Sequence, residues 1–154
     1  MVGFGKMYRS TKTFGHEQGL SCCFRQWRAV HSHCRLLHGY AIAVKLAFVC
    51  SELDDKNWCQ DFGGLKKVKD FLKATFDHKT VVAQDDPSLS TFVELHEAGL
   101  IDLVILPAVG CEAFAQYIHE KVCDILAITG TERVDLESVE VMEHSGNSAI
   151  YAIN

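Results

Sequence analysis

The segment AIAVKLAFV, residues 41–49, alternates strictly, with Ile42, Val44, Leu46 and Phe48 on one side and smaller or charged residues on the other. That period of two predicts a half-buried strand. His38 and Tyr40 share the parity of Ile42, so a strand that begins near Leu37 projects both from its apolar face. Residues 21–27 predict a partner strand and the polar residues 28–32 a connection. No crossover helix fits between the two strands, so the pair is expected to be antiparallel. The period then changes to that of a helix. After Asp61, a capping residue, Leu65, Val68, Phe71, Leu72 and Thr75 repeat at helical spacing while the lysines face outward. Asp86-Pro87 predicts the N-cap and first position of a short helix that ends before Gly99. Leu103–Leu106 reads as a short apolar strand or a connection, closed by Pro107. Residues 112–127 predict a second long helix with Phe114, Tyr117, Ile118, Lys121, Val122 and Ile125 on one stripe. At the end of the chain Val139, Val141 and Glu143 share a strand face, Gly146-Asn147 marks a turn, and Ala149, Tyr151 and Ile153 return as a hairpin. Two strands, helices and two strands predict an α+β domain, with helices on one face of an antiparallel four-stranded sheet.

Composition narrows the function classes more than the fold. A chain of 154 residues fits one domain with a real core. A net charge of −5 argues against a general nucleic-acid binder, which needs clustered Lys and Arg. The nearest basic run, Lys66, Lys67, Lys69 and Lys73, reads as the solvated face of a helix that also carries Asp70. No apolar stretch reaches membrane-spanning length, and MVGFGKMYRS at the N-terminus lacks the apolar core of a signal segment. The seven cysteines have no scaffold-like spacing, which predicts reduced thiols packed as small apolar side chains and a cytoplasmic location. The eight histidines are the unusual feature, four of them (His16, His31, His33 and His38) in the first quarter of the chain.

Three local patterns could carry chemistry. HCRLLHGY, residues 33–40, places Cys34 four positions before His38 at a loop–strand junction. A cysteine acts as nucleophile or base only as thiolate, which needs an adjacent positive field. A packed cysteine and a core histidine would give the same pattern. FDHK sets Asp77 beside His78, where a carboxylate can fix the imidazole tautomer for proton transfer near neutral pH. A histidine at a helix C-terminus would account for it equally. Glu143 lies on the apolar side of its strand, where an ionised carboxylate is costly unless a donor meets it. Either the strand's parity slips there or Glu143 awaits the N–H edge of a ligand, and the second is preferred.

In this order the fragments resemble the 6-pyruvoyltetrahydropterin and 6-carboxytetrahydropterin synthase family. CRLLHGY (34–40) is similar to its C-x-x-x-H-G-H pattern, and NWCQDFGGLK (57–66) to D-F-x-x-L-K. FDHK (76–79) is similar to its D-H motif, and GCEAFAQYI (110–118) to T-S-E-N-x-A-x-x-I. VEVMEH, followed by Tyr151, resembles the closing V-x-V-x-E-T…Y hairpin. The resemblance implies the tunnelling fold (T-fold), trimers that pair into hexamers, active sites between subunits and a pterin substrate. It implies Cys34 as catalytic thiol, Asp77 and His78 as a proton relay, and Glu143 as anchor of the aminopyrimidine edge, whose paired N–H donors suit a carboxylate. The cysteine spacing looks closer to the 6-carboxy branch, which converts 7,8-dihydroneopterin triphosphate with loss of triphosphate and acetaldehyde and feeds queuosine-type deazapurine synthesis. The 6-pyruvoyl branch and a zinc-free pterin- or purine-binding relative are the alternatives.

The resemblance also implies a zinc ion on three histidines, one from the first strand and two from H-G-H. Here His38 matches, but Tyr40 replaces the second of the pair. If LSCCFR (20–25) is equivalent to the family's F-S-A-A-H-R, Phe24 replaces the strand-one ligand. One imidazole cannot hold catalytic zinc, which needs about three protein ligands. His16, in KTFGHE, and His33, beside Cys34, are the two histidines from which the set with His38 could be rebuilt; equally, His16, His31 and His33 could be exposed loop residues.

Overall fold

The alternating segment forms β3 (His38–Cys50), the longest strand, and the other elements are arranged on it. The computed structural model describes residues 7–154, so the reading of the N-terminal decapeptide falls largely outside the described residues. One edge of β3 is covered by two short strands in succession. Strand β1 (Tyr8–Phe14) pairs antiparallel with Val44 to Cys50, and β2 (Leu20–Phe24) with His38 to Ile42. Together they run as one strand interrupted by a 3-10 turn at His16–Gln18, which Gly19 closes at φ 69°. The other edge carries β6 (Val134–His144), followed by β7 (Asn147–Ala152), both antiparallel.

The sheet has seven strands rather than the expected four, in the order β5-β4-β2-β3-β6-β7 with β1 also on β3. The expected antiparallel core is present, with its first strand split. The additions beyond it are β4 (Lys79–Ala83) and β5 (Leu103–Leu106), which continue the sheet from β2 in parallel pairing. Strand β4 shows no alternation because Thr80, Val81, Val82 and Ala83 are all buried, as in a parallel strand covered on both faces. Strand β1 was hidden for the opposite reason. It is an edge strand, mostly exposed, and its sequence is polar.

Helix α1 (Lys66–Phe76) buries Val68, Leu72, Thr75 and Phe76. The chain enters it through a 3-10 turn at Phe62–Leu65, where the Asp61 carboxylate accepts the Gly63 N–H at 2.8 Å. Asp61 therefore caps that turn, and the α-helix proper starts later than the spacing predicts. Helix α2 (Leu89–Glu97) has Ser88, not Asp86, at its N-cap. Asp86 is instead buried. It accepts the Ser88 N–H at 2.8 Å and pairs with Arg25 through two bonds of 2.8 and 2.6 Å.

Helix α3 (Cys111–Leu126) buries Phe114, Ala115, Ile118, His119 and Val122. Its stripe takes in His119 and leaves out Lys121, which is exposed with its ammonium 5.6 Å from the Tyr117 ring. The His119 imidazole is accommodated because Nε2–H donates to the Leu136 carbonyl at 2.8 Å and the ring meets Tyr151 edge-on. The core joins these helical stripes to Phe14, Leu20, Phe24, Ile42, Val44, Leu46 and Phe48. All seven cysteines are free thiols, four of them buried (Cys22, Cys50, Cys59 and Cys111) and Cys34 exposed. Among the described residues no helix is long and apolar enough to cross a membrane.

Candidate functional site

The 33–40 segment enters β3 through a 3-10 turn at His33–Arg35, capped by the Ser32 hydroxyl, which accepts the Cys34 N–H at 3.1 Å. Cys34 is thereby presented at the surface. With His33, Leu36, Leu37, His38 and Tyr40 it lines a cleft of about 510 Å³. His38 and Tyr40 leave β3 on the helix-covered face, as their parity predicts, and Tyr40 packs against the core. Between them Gly39 lies so close to β2 that a Cβ would approach the Cys22 carbonyl oxygen to 2.8 Å. A side chain there must push the two strands apart. Gly39→Ala is therefore expected to cost about 1–3 kcal/mol, the range for overpacking. Chemical denaturation checks this, and an unchanged midpoint would show that β2 yields freely.

Asp77 ends α1, and His78 takes a positive φ of 58° before β4 begins. The His78 N–H donates to the Ser21 carbonyl at 2.6 Å, which ties this turn to β2. The two side chains do meet: Nδ1–H of His78 donates to Asp77 Oδ1 at 2.6 Å. That bond orients the ring and leaves Nε2 outward, and the His78 side chain is 86% exposed. Within one chain, β2 separates this pair from the Cys34 turn. No hydrogen bond joins Cys34 to Asp77 or His78 among the described residues.

Glu143 sits where the β6–β7 register shifts between Met142 and His144. The bulge leaves it half-buried, unlike the fully buried Val139 and Val141 with which it alternates. Its carboxylate lies beside the Cys111 thiol at the start of α3. Burial first, and then the charges of Glu143 and Glu112, push that thiol up to about 12. The Tyr40 phenol is also raised, by desolvation first and then by Glu143 and Cys34. Tyr40, Glu143, Cys34 and Cys111 therefore share one electrostatic neighbourhood. Cys111 carries no motif that marks it, because it meets Glu143 only when α3 is laid against the end of β6.

The register aligns Phe24 with His38, so the three positions at which the resemblance implies histidine do converge. The ring centroids lie 6.0 Å apart for Phe24–His38, 6.2 Å for Phe24–Tyr40 and 5.4 Å for His38–Tyr40. Only one of the three rings offers a nitrogen donor, and Phe24 offers no donor at all. His38 Nδ1–H donates to the Leu36 carbonyl at 2.7 Å, and Phe24 is 3% exposed, edge-on to Phe114. His16 is exposed on the β1–β2 turn with Nδ1 on the Ala41 carbonyl, and His33 lies on the wall of the Cys34 cleft. No group of three or more His, Cys, Asp or Glu side chains able to hold a metal ion occurs among the described residues. The residues at the converging positions do not fit zinc.

Comparison with known proteins agrees with this architecture. The family model described as 6-pyruvoyl tetrahydropterin synthase matches residues 14–154. A 6-carboxy-5,6,7,8-tetrahydropterin synthase of Rickettsia typhi is 29% identical over 62 residues, which cover 40% of this chain and 45% of that protein. The match thus spans less than half the length of that relative. Among solved structures, an uncharacterized protein of Wolinella succinogenes has a TM-score of 0.81 at 20% identity, covering 97% of this chain and 99% of its own. The 6-pyruvoyltetrahydropterin synthase of Plasmodium vivax has a TM-score of 0.69 at 16% identity, with the same coverage of both chains. At such identities the structural likeness establishes the fold, an α+β T-fold. With its family model matched from Phe14 to the last residue, the chain belongs to the 6-pyruvoyl tetrahydropterin synthase family.

Proposed function

We propose that the chain binds a pterin through Glu143 and acts on it as a lyase of the 6-carboxytetrahydropterin synthase type, with 7,8-dihydroneopterin triphosphate as substrate. The observation that carries this reading is the Glu143 carboxylate, held half-buried on the β6 bulge beside Tyr40 and Cys111. An aminopyrimidine edge presents two parallel N–H donors, which a carboxylate accepts in bidentate fashion. In this reading Cys34 and the outward Nε2 of His78 take and return protons, supported by the hydrogen bond through which Asp77 orients His78. Both Cys34 and His78 are exposed and lie apart in one chain, which supports a site completed between copies in a trimer or hexamer. No step of this chemistry is assigned to zinc.

The test combines binding and turnover. Neopterin affinity, followed by pterin fluorescence, is expected to fall at least about tenfold in Glu143→Gln, which removes the charge from the acceptor. Cys34→Ala should bind as tightly as the wild type but turn over 7,8-dihydroneopterin triphosphate about 100-fold more slowly. Unchanged affinity in Glu143→Gln would remove the proposed anchor. A second reading, a pterin- or purine-binding relative without turnover, is favoured by the Phe24 and Tyr40 replacements. It is the outcome if ligand binds through Glu143 while no substrate is consumed.

A further inference from the structure

The convergence of Phe24, His38 and Tyr40 creates a surface with properties of its own. Zinc needs about three nitrogen, sulfur or carboxylate donors at roughly 2.0–2.3 Å. The Phe24 ring offers none, and it is fixed in the core by Phe114 at 5.1 Å, so no side-chain rotation brings a donor to its place. Tyr40 and His38 line the same cleft as Cys34 and His33, and its apolar part is Leu36 and Leu37, exposed at 53% and 44%. Exposed leucines beside two aromatic rings suit the face of a planar heterocycle rather than a hydrated cation. The Glu143 carboxylate lies near the Tyr40 phenol and beside the Cys111 thiol.

Building on the pterin reading above, we infer that this chain has replaced the family's metal position with a metal-free aromatic wall, on which Tyr40 contacts the ligand and its hydroxyl donates a hydrogen bond to a ligand oxygen. The phenol supplies directional polarisation of that oxygen without a Lewis acid. Phe24 holds the Tyr40 and His38 rings from behind and is a positioning residue.

Two measurements on the full chain test this, elemental mass spectrometry for zinc and fluorescence titration with neopterin. Wild-type protein, purified without added metal or a histidine tag, should hold far less than one zinc per chain, even after dialysis against zinc and removal of the excess. The double variant Phe24→His/Tyr40→His restores three imidazoles at converging positions and should retain about one zinc per chain. Neopterin affinity of the wild type should be unaffected by EDTA and should fall about tenfold in Tyr40→Phe, which keeps the ring and removes the donor. A full equivalent of zinc retained by the wild type and released by His38→Ala would overturn the inference, as would wild-type affinity in Tyr40→Phe. Should the double variant fail to fold, the zinc content and EDTA response of the wild type decide. Failure of neopterin to bind at all would overturn the role of Tyr40 together with the pterin reading, whereas the zinc content tests the wall separately.

Discussion

Phe114→Ala is expected to lower stability by about 3–5 kcal/mol, the range for emptying a fully buried aromatic site. Phe114 has no exposure, and it joins two other buried aromatics edge-on at 5.1 Å, Phe24 on β2 and Phe76 at the end of α1. The cavity would therefore open where α1, α3 and the sheet meet. Edge-to-face pairs are each worth about 0.5–1.5 kcal/mol beyond the area they bury, so two are lost at once. The same truncation frees the Phe24 ring, which backs His38 and Tyr40, so ligand affinity should weaken along with stability. Chemical denaturation followed by tryptophan fluorescence measures the first effect, and a loss below about 1 kcal/mol would show that α3 collapses into the space.

Asp86→Ala is the second large effect, about 3–5 kcal/mol, because it strands a charged partner. The Asp86 side chain is 1% exposed and that of Arg25 23%. The carboxylate receives Nε and a terminal nitrogen of Arg25 as well as the Ser88 N–H that starts α2. These donors, the Arg25 bond foremost, hold the Asp86 carboxyl below its ordinary range, against the opposing effect of burial. A carboxyl depressed in the folded state gives stability that is complete above its unfolded value, about 4, and is lost as pH falls through the folded value. The gap between wild type and Asp86→Ala should thus be widest near neutrality and narrow below about pH 4. Thermal melts at pH 7 and at pH 3 decide it, and a gap that does not change with pH would mean that the loss comes from the turn and not from the ion pair.

Part of the geometry of the candidate site was legible in the sequence. The parity of Ile42 placed His38 and Tyr40 on the covered face, and they are there. The adjacency of Asp77 and His78 allowed their side chains to meet, and the hydrogen bond between them forms. What could not be read were contacts across strands. Cys111 meets Glu143, 32 positions later, only through the packing of α3 on the end of β6. The β6 bulge at Glu143 sets an extra residue against β7, and only the strand pairing decides between that slip and a regular strand.

The sequence by itself determined the β3 alternation, the apolar stripes of the two long helices and the C-terminal hairpin, because each is a local period that one face of a core must satisfy. It also showed that His38 matches the first histidine of the H-G-H pair and that Tyr40 stands at the second. The tertiary structure decided that Phe24, His38 and Tyr40 form one cluster, that Asp86 serves Arg25 and not a helix cap, and that β4 extends the sheet in parallel. Each of these depends on which strand lies beside which, and strand order is set by burial summed over the whole chain rather than by any one segment's pattern.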